Sequence, residues 1–349
     1  KHNDGDIMTF KATFLLGLPD NGMVKVSGNN KTGNISYNIL GNAEFHNYVQ
    51  LPQKNKNSIL IAGTARLPRL IKKTDIIVNC ITDKDGTENS LKKVIHITNS
   101  VKKTHPHIPI FNDPSKIGLT TRDKIYQQFN KMPGLYVPKV VRIKPDSAKD
   151  VLRLAKENEL RAPFLIRPCG SHESKNLLLI DSKEKTKLLE QYAYDGSEFY
   201  LTEFVDYKTP ENLYHKARLV IIGGQFYPRH FMTGESWMVH GNLHETYMAN
   251  NKLAKAREIH FLKNFRKMIA PEALNSMMKI YQRIGLDYLG FDFSIRADGN
   301  ILIFEINPAQ NPFMAVNFKN FPYMQIIRNN IIAALNKCIL EKVNKSTNA

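Results

Sequence analysis

The chain has 349 residues, of which 42% are apolar and 23% are charged, and its formal net charge is +17. This composition is ordinary for a globular protein and argues against wholesale disorder, and the length suffices for two or three structural units. No apolar run approaches the roughly 20 residues that span a bilayer, and the opening hydrophobic stretch is too short for a signal peptide.

The excess of positive charge has two interpretations. It can mark an anionic partner, such as nucleotide phosphates, an acidic peptide, nucleic acid or anionic lipid. It can equally be a solvated basic surface, because the lysines are scattered and form no arginine-rich tail. The sequence leaves both open.

Cysteine usage favours a reducing compartment. Cys80, Cys169 and Cys338 lie far apart in the chain and form no CxxC pair. This spacing argues against a disulfide framework and against a thiolate metal site. We therefore expect a cytoplasmic protein.

The first third of the chain alternates strand-like segments with a helical one. Apolar, strand-like runs occupy residues 9–19, 57–65, 73–83 and 108–114, and an amphipathic helical pattern occupies residues 88–105. Alternation of this kind predicts a parallel α/β sheet.

The pattern changes near residue 120. A short helix, a strand, an amphipathic helix and two further strands follow, at residues 120–132, 137–143, 147–160, 162–168 and 199–206. A Gly-Gly hairpin, a long helical region, a second hairpin and a final helix at residues 323–343 complete the chain.

The second hairpin, at residues 289–309, is the most informative stretch. Its Asp298-Gly299 pair suits a two-residue type I′ turn between alternating hydrophobic residues. The register that this turn sets places Asp292 directly opposite Glu305. Two carboxylates in such a pair lie about 5 Å apart and repel each other unless something compensates them.

A divalent cation would remove this repulsion. Mg²⁺ prefers carboxylate and carbonyl oxygens together with substrate phosphates, and Asn307 projects from the same face as Glu305. Asp292, Glu305 and Asn307 are therefore candidate metal ligands. The alternative is that these side chains form the solvent-facing side of a half-exposed sheet.

The Gly-Gly hairpin carries a candidate anion site. A two-residue turn at 223–224 places Arg218 opposite Arg229, with Lys216 on the Arg218 face. Two opposed arginines are unfavourable unless an anion lies near them, although arginines at a sheet edge are an alternative. Pro228 can induce a bulge that shifts this register.

A third element is a strand that delivers Arg167 and then runs into a small polar loop, which includes Gly170, Ser171, His172 and Lys175. Such a loop can present backbone N–H groups, hydroxyls and a lysine to phosphate oxygens. It matches neither the GxxxxGK[ST] nor the GxGxxG pattern, and alone it is a weak signal.

Taken in chain order, these elements resemble the ATP-grasp superfamily, which includes D-alanine–D-alanine ligase, glutathione synthetase and the ribosomal-protein glutamate ligases. The resemblance covers roughly residues 110–335, and the metal hairpin with its "EINP" ending is the most specific part. It implies an α/β protein in which two α+β subdomains clasp ATP after a Rossmann-like domain. The implied boundaries are 1–118 for the N-terminal domain, 119–203 for the first subdomain and 204–349 for the second with its C-terminal helix.

The resemblance also implies individual roles. Lys124 resembles a residue that contacts nucleotide phosphate, and Arg167 stands where the superfamily usually has lysine. The guanidinium of Arg167 still suits phosphate, but this is a departure. Ser171, His172 and Lys175 match the loop that covers the phosphates, which here is poor in glycine.

The segment Glu203, Phe204 and Val205 matches the hinge whose backbone reads the adenine edge. Asp206 or Glu211 is expected to accept the ribose hydroxyls, and the sequence does not choose between them.

Further roles concern the triphosphate and its metals. Arg218, with Lys216 beside it, resembles a residue that reaches the triphosphate. By the same resemblance, Asp292 and Glu305 bind one Mg²⁺, while Glu305 and Asn307 bind the second. Mn²⁺ is an expected substitute.

The implied activity is that of an ATP-dependent carboxylate–amine ligase that works through an acylphosphate and releases ADP and phosphate. Arg167, Arg218 and the two metal ions are expected to neutralise charge as the phosphoryl group moves, and Arg229 is a further candidate catalytic residue. D-alanine ligases carry an arginine where this chain has Gly290. This difference argues against the assignment of the chain as a dipeptide ligase. An amino acid, peptide or protein tail, acidic in view of the net charge, is the expected substrate.

Residues 227–247 are a candidate for substrate contact, through Arg229, His230, Trp237 and His240. The alternative is that Trp237 is a core residue and the histidines are polar loop residues. A zinc site is not favoured, because HxH and HExxH spacings are absent from this segment.

Three alternatives to the ligase stay open. A kinase of the same fold would transfer phosphate to a hydroxylated or phosphorylated acceptor. A binding module that only senses nucleotide is a second alternative, although such a module would not need the opposed carboxylates Asp292 and Glu305. Nucleic-acid binding is a third and weaker alternative, because the sequence contains no RNP or helix-turn-helix pattern. No membrane contact is expected, and the N-terminal domain or the last helix could support a homodimer.

Overall fold

The computed structural model describes residues 10–29, 35–62, 71, 73–171, 176–240, 242–308, 310, 312–313 and 316–347. In this part of the chain the strands are β1 Ala12–Gly17, β2 Lys25–Asn29, β3 Ile35–Asn38, β4 Lys56–Ile61, β5 Ile76–Asn79, β6 Ile110–Phe111, β7 Leu135–Tyr136, β8 Val140–Ile143, β9 Phe164–Pro168, β10 Leu178–Ile180, β11 Phe199–Glu203, β12 Tyr214–Ile222, β13 Gln225–Gly234, β14 Tyr288–Ile295 and β15 Ile301–Asn307. The helices are α1 Phe45–Tyr48, α2 Glu88–Thr104, α3 Arg122–Phe129, α4 Ala148–Glu157, α5 Leu243–Thr246, α6 Lys252–Met268, α7 Pro271–Ile284 and α8 Tyr323–Thr347.

The N-terminal sheet is parallel, with the strand order β4-β1-β5-β6. β1 and β5 are buried along their whole length, which is expected of parallel strands that are covered on both faces. The four strands and the helix α2 predicted for this region are confirmed. The hairpin of β2 and β3 was not predicted, because its two segments are short and mostly polar.

The middle sheet is antiparallel, with the order β10-β9-β11-β8. Its amphipathic helix α4 is capped by the preceding Ser147, whose side chain accepts a hydrogen bond from the backbone N–H of Asp150. The apolar residues of this sheet and of α4 form a hydrophobic cluster that is separate from the clusters of the remaining chain. The middle sheet is therefore packed as a body of its own.

The C-terminal sheet has five strands in the order β13-β12-β14-β15-β7. One face packs with apolar residues of α6 and α7, and its cluster continues into the N-terminal sheet. On the other face, Val220 and Tyr288 share a cluster with Phe45 of α1 and with Leu335 of α8. The N-terminal and C-terminal sheets thus share their hydrophobic cores.

The division into domains at 118 and 203 stays a prediction. The separate core of the middle sheet agrees with an independent unit in that region. However, β7 lies in the stretch assigned to that unit and pairs in parallel with β15 of the C-terminal sheet.

The apolar side of helix α8 packs against the rest of the chain. Ile331, Leu335 and Ile339 are buried in the cluster that joins the two sheets. Asn336 accepts a hydrogen bond from the Gln50 N–H, at 2.6 Å, which ties the helix to the N-terminal region. A homodimer stays a prediction. None of the helices in the described ranges is long and apolar enough to cross a bilayer.

Replacement of Asp287 tests the link between the two sheets. Asp287 accepts a hydrogen bond from the Asn112 N–H at 2.7 Å and pairs with Lys342 of α8 at 2.5 Å. We expect Asp287→Ala to lower the free energy of unfolding by about 2–3 kcal/mol in urea denaturation, because a half-buried N–H and an ammonium lose their acceptor. Asp181→Ala removes only an exposed pair with Lys185 and should cost less than about 0.5 kcal/mol. Equal effects of the two variants would contradict this prediction.

Candidate active site

A row of four polar side chains crosses the C-terminal sheet on one level. Glu305 on β15 faces Asp292 on β14, Asp292 faces Arg218 on β12, and Arg218 faces His230 on β13. The flanking residues of these strands are mostly apolar and buried. A charged row of this kind in an apolar sheet is costly unless its members compensate one another.

The hairpin of β14 and β15 corrects the predicted turn. The loop contains three residues rather than two, since the Arg296 N–H donates to the Asn300 carbonyl and Gly299 takes a positive φ of 79°. A register shift just beyond Asp292 compensates for the extra loop residue. The predicted pairing of Asp292 with Glu305 is therefore confirmed, although the predicted turn was wrong.

The Gly-Gly hairpin was predicted correctly at its turn and wrongly beyond it. Both glycines at 223–224 have positive φ, and Val220 pairs with Tyr227 as expected. A bulge at Pro228, which has no N–H to donate, then shifts the register. Arg218 faces His230, and the expected pair of Arg218 with Arg229 does not form.

Asp292 is held by two cations. Both of its oxygens accept from Arg218, with Nε–Oδ1 at 2.6 Å and Nη2–Oδ2 at 2.9 Å, and Lys216 Nζ lies 2.8 Å from Oδ2. The side chain is 1% exposed. Although burial opposes ionisation, the charges of Arg218 and Lys216 hold the pKa of Asp292 far below its usual range.

Glu305 pairs with a residue that the sequence analysis missed. Arg122 donates to Glu305 Oε1 at 2.7 Å and to the Phe304 carbonyl at 3.0 Å. The predicted phosphate ligand Lys124 lies two residues further along α3, on its exposed side, and donates to Gln127. The structure thus brings Arg122, and not Lys124, to the carboxylates, because successive helix positions point in different directions.

Arg167 is a buried cation without a carboxylate partner among the described residues. Its hydrogen bonds go to the hydroxyl and the carbonyl oxygen of Ser171. Burial, together with the nearby charge of Arg122, lowers the pKa of Arg167 to about 10. The nearby carboxylate of Glu305 offsets part of this lowering of the pKa. A buried guanidinium that makes no direct ion pair with a described carboxylate favours a further anion.

Arg122, Arg167 and Glu305 line one cleft, whereas Asp292, Arg218 and Lys216 are not among its lining residues. Its walls include Arg122, Arg167, Ser171, Glu305 and Asn307, together with residues 82–85 of the N-terminal region. His172 and Lys175, predicted as phosphate contacts in the loop after Ser171, lie outside the described residues.

By sequence, the chain matches no protein-family model and no curated protein. By structure, it is similar to D-alanyl-alanine synthetase A from Vibrio cholerae, with a TM-score of 0.53 and 10% identity over 97% of this chain and 100% of the other. It is also similar to VanG D-Ala:D-Ser ligase from Enterococcus faecalis, with a TM-score of 0.52 and 12% identity over 96% and 100% of the two chains. A third similar structure is an ATP-grasp RimK domain protein from Sphaerobacter thermophilus, with a TM-score of 0.50 and 8% identity over 94% and 99%.

The chain has the ATP-grasp fold. The likenesses cover nearly the whole of each chain, so the fold that the sequence implied is confirmed, and at this level of identity they establish the fold alone.

The side chains of the predicted adenine hinge, residues 203–205, contact other residues of the protein. Glu203 accepts from the Tyr136 hydroxyl at 2.5 Å and from the Lys139 N–H at 3.0 Å. The Phe204 ring packs edge-on against Trp237, which is half-buried against the main cluster as a core residue would be. Val205 is also half-buried. The role of the hinge backbone stays a prediction.

Neither candidate for the ribose contact lines the cleft described above. Asp206 accepts from the Lys208 N–H at 3.1 Å, and Glu211 lies 3.8 Å from Arg257. The choice between the two stays open.

The N-terminal region contributes a wall that the sequence analysis did not anticipate. Asp85 accepts from the hydroxyl of Tyr200 and from Arg142 at 2.8 Å, and Arg142 also pairs with Glu198 at 2.7 Å. Burial raises the pKa of Asp85 in spite of these hydrogen bonds. In the sequence, the only feature that could have predicted this wall is the presence of charged and hydroxyl side chains in the otherwise apolar strands β8 and β11.

A close glycine contact completes this wall. Gly170 has a positive φ of 73°, and a Cβ there would lie 3.2 Å from the backbone of Asp85 and Gly86. The loop after Arg167 therefore rests directly on the N-terminal loop.

A divalent metal fits this site in part. Glu305 and Asn307 offer the hard oxygen donors that Mg²⁺ prefers, and both line the cleft. Asp292 could join them only if Lys216 or Arg218 released one of its oxygens. Among the described residues, no group of three or more His, Cys, Asp or Glu side chains is placed to hold a metal ion.

The buried pair of Arg218 and Asp292 makes a testable energetic prediction. Arg218→Leu leaves a buried carboxylate with Lys216 alone, and we expect the free energy of unfolding to fall by about 3–5 kcal/mol. The double variant Arg218→Leu/Asp292→Leu should recover much of this loss, because no uncompensated carboxylate remains. Urea denaturation of the single and double variants measures the difference.

The exposed pair of Lys337 and Glu341 on α8 is the control. Substitution of either residue there should leave the unfolding midpoint almost unchanged. A double variant in the sheet that is less stable than Arg218→Leu would contradict the prediction.

Proposed function

We propose that this protein is an ATP-dependent carboxylate–amine ligase. The observation that carries the proposal is Arg167, a buried guanidinium without a carboxylate partner among the described residues, in the cleft of an ATP-grasp fold. Arg122 and Glu305 lie beside it. Such an arrangement suits the phosphoryl group that is transferred between ATP and a carboxylate.

The proposed reaction has two steps. A carboxylate oxygen of the substrate attacks the γ-phosphorus of ATP, and the bond to the leaving ADP oxygen breaks, which gives an acylphosphate. The nitrogen of an amine then attacks the acyl carbon, inorganic phosphate leaves, and the amine proton passes to solvent. The net result is an amide, ADP and phosphate.

The chain supplies positioning and charge. Arg167 would hold the γ-phosphoryl oxygens, and Arg122 would move from Glu305 towards the same oxygens as charge develops on them. Lys216 and Arg218 would approach the triphosphate from the side of Asp292, and Arg229 would act on the substrate side. Mg²⁺, held by Glu305 and Asn307, would neutralise phosphate charge when bound.

The remaining assignments follow the same fold. Residues 203–205 would read adenine, and Asp206 or Glu211 would accept the ribose hydroxyls. His172 and Lys175 would cover the phosphates together with Ser171. The N-terminal domain would end near residue 118, and the two ATP-binding subdomains would meet near residue 203.

The partners and the compartment are proposed on narrower grounds. The net charge of +17 supports an acidic amino acid, peptide or protein tail as substrate. Three free thiols, at Cys80, Cys169 and Cys338, support a reducing compartment and therefore the cytoplasm.

Arg167→Met tests the anion site. We expect kcat/KM for MgATP to fall about 100-fold or more, because one charge-assisted donor to the phosphoryl group is lost. The measurement is ADP release with MgATP and pools of amino acids and peptides as carboxylates and amines. Arg161→Met, an exposed residue just before the same strand, is the matched control and should behave as the unmodified protein.

Glu305→Ala tests the metal site. The magnesium concentration that gives half of the maximal rate should rise, and kcat should fall by about 100-fold. Glu157→Ala, an exposed carboxylate of α4, is the control. Unchanged MgATP binding and turnover in Glu305→Ala would overturn the metal site. ADP release that responds to hydroxylated or phosphorylated acceptors and to no amine would identify a kinase instead.

A further inference from the structure

Two buried side chains, His230 in the charged row and Gln310 outside it, have polar atoms without a partner among the described residues. The amide oxygen and nitrogen of Gln310 and the Nε2 atom of His230 are buried and make no hydrogen bond there. Gln310 is 5% exposed and His230 is 7% exposed. A buried amide without partners costs about 1–3 kcal/mol, so its retention calls for a functional reason.

The Gln310 amide occupies the space that the missing side chain of Gly290 leaves free, and we call this space the seat of the amide. A Cβ at position 290 would lie 2.1 Å from Gln310 Oε1, so only glycine leaves this space. The carbonyl of Gln310 accepts a hydrogen bond from the hydroxyl of Tyr288, which fixes its backbone. The side chain itself has no hydrogen bond to break when it turns.

The seat adjoins the cleft. Gly290 pairs across the ladder with Asn307, and Asn307 lines the cleft next to Glu305. Facing residues in such a ladder lie about 5 Å apart. The Gln310 amide therefore lies next to a residue that lines the cleft in which the reacting carboxylate would bind.

The charges near the Gln310 amide are unfavourable for a positively charged group of the substrate. Arg218 and Lys216 flank Asp292, and Arg229 is buried close to Arg218, so that burial and this neighbour lower the pKa of Arg229 to about 10. A substrate ammonium here would meet like charge, whereas an uncharged donor and acceptor would not.

We propose that Gln310 binds an amide group of the carboxylate substrate, which makes that substrate a peptide or an N-acylated amino acid rather than a free amino acid. The inference rests on the proposed ligase function and adds the substrate class. A primary amide both donates and accepts, so it complements the N–H and C=O of a peptide group. Gln310 is thereby a specificity residue.

The test compares pairs of carboxylates that differ only in N-acylation. Glutamate and N-acetylglutamate, alanine and N-acetylalanine, and acetylated dipeptides are supplied with MgATP and with hydroxylamine as the amine. ADP and the hydroxamate product are measured together. We expect kcat/KM for the acetylated member of at least one pair to be about tenfold higher or more.

Gln310→Leu should abolish this preference and leave the KM for MgATP within about twofold. Gly290→Ala should have the same effect, because the added Cβ displaces the Gln310 amide from its seat. A preference for free amino acids, or a preference that persists in Gln310→Leu, would overturn the inference and leave the ligase intact. ADP release with no carboxylate at all would instead overturn the ligase, and the inference with it.

Thermal unfolding gives an independent readout. Because the Gln310 amide loses no partner, Gln310→Leu should leave the Tm unchanged or raise it. Gln282→Leu, on the exposed side of α7, is the control for the added apolar side chain. A fall of several degrees in Gln310→Leu alone would show that the amide has a structural role and would overturn the inference.

Discussion

The buried carboxylate of Asp292 is the constraint on which the site depends. It lies in the middle of an apolar sheet and is stable there because Arg218 and Lys216 compensate its charge from the neighbouring strand. This clamp fixes two cations on one face of the sheet, and the pairing with Glu305 brings a second carboxylate to the same level. The row meets the cleft at Glu305, which lies there beside Arg122, Arg167 and Asn307.

The packing explains how the cleft is assembled. The N-terminal and C-terminal sheets share hydrophobic clusters, whereas the middle sheet has its own. Polar contacts join the middle sheet to the N-terminal loop, through Arg142, Asp85 and Tyr200 at the edge of the cleft. Hydrogen bonds and ion pairs are more directional than apolar contacts, so this junction fixes the position of the loop beside Arg167.

Two irregularities in the strands determine which side chains meet. In one hairpin a register shift compensates for a three-residue loop and restores the pair of Asp292 and Glu305. In the other, the bulge at Pro228 places His230 beside Arg218 and leaves Arg229 on a different path. A one-residue shift moves a side chain to the opposite face, so bulges select the polar residues of the site.

The sequence by itself determined the order of the elements, the strands of the parallel sheet and the carboxylate pair, because these follow from local hydrophobic periodicity and turn chemistry. The phosphate contact of Lys124 stays a prediction, and the positions of Arg122, Asp85, Arg142 and Gln310 beside the site were missed. Those side chains act through partners that are remote in the chain, such as Arg122 with Glu305 and Gln310 with Gly290. Only the tertiary structure decided these contacts, since burial and the meeting of distant segments leave no local pattern in the sequence.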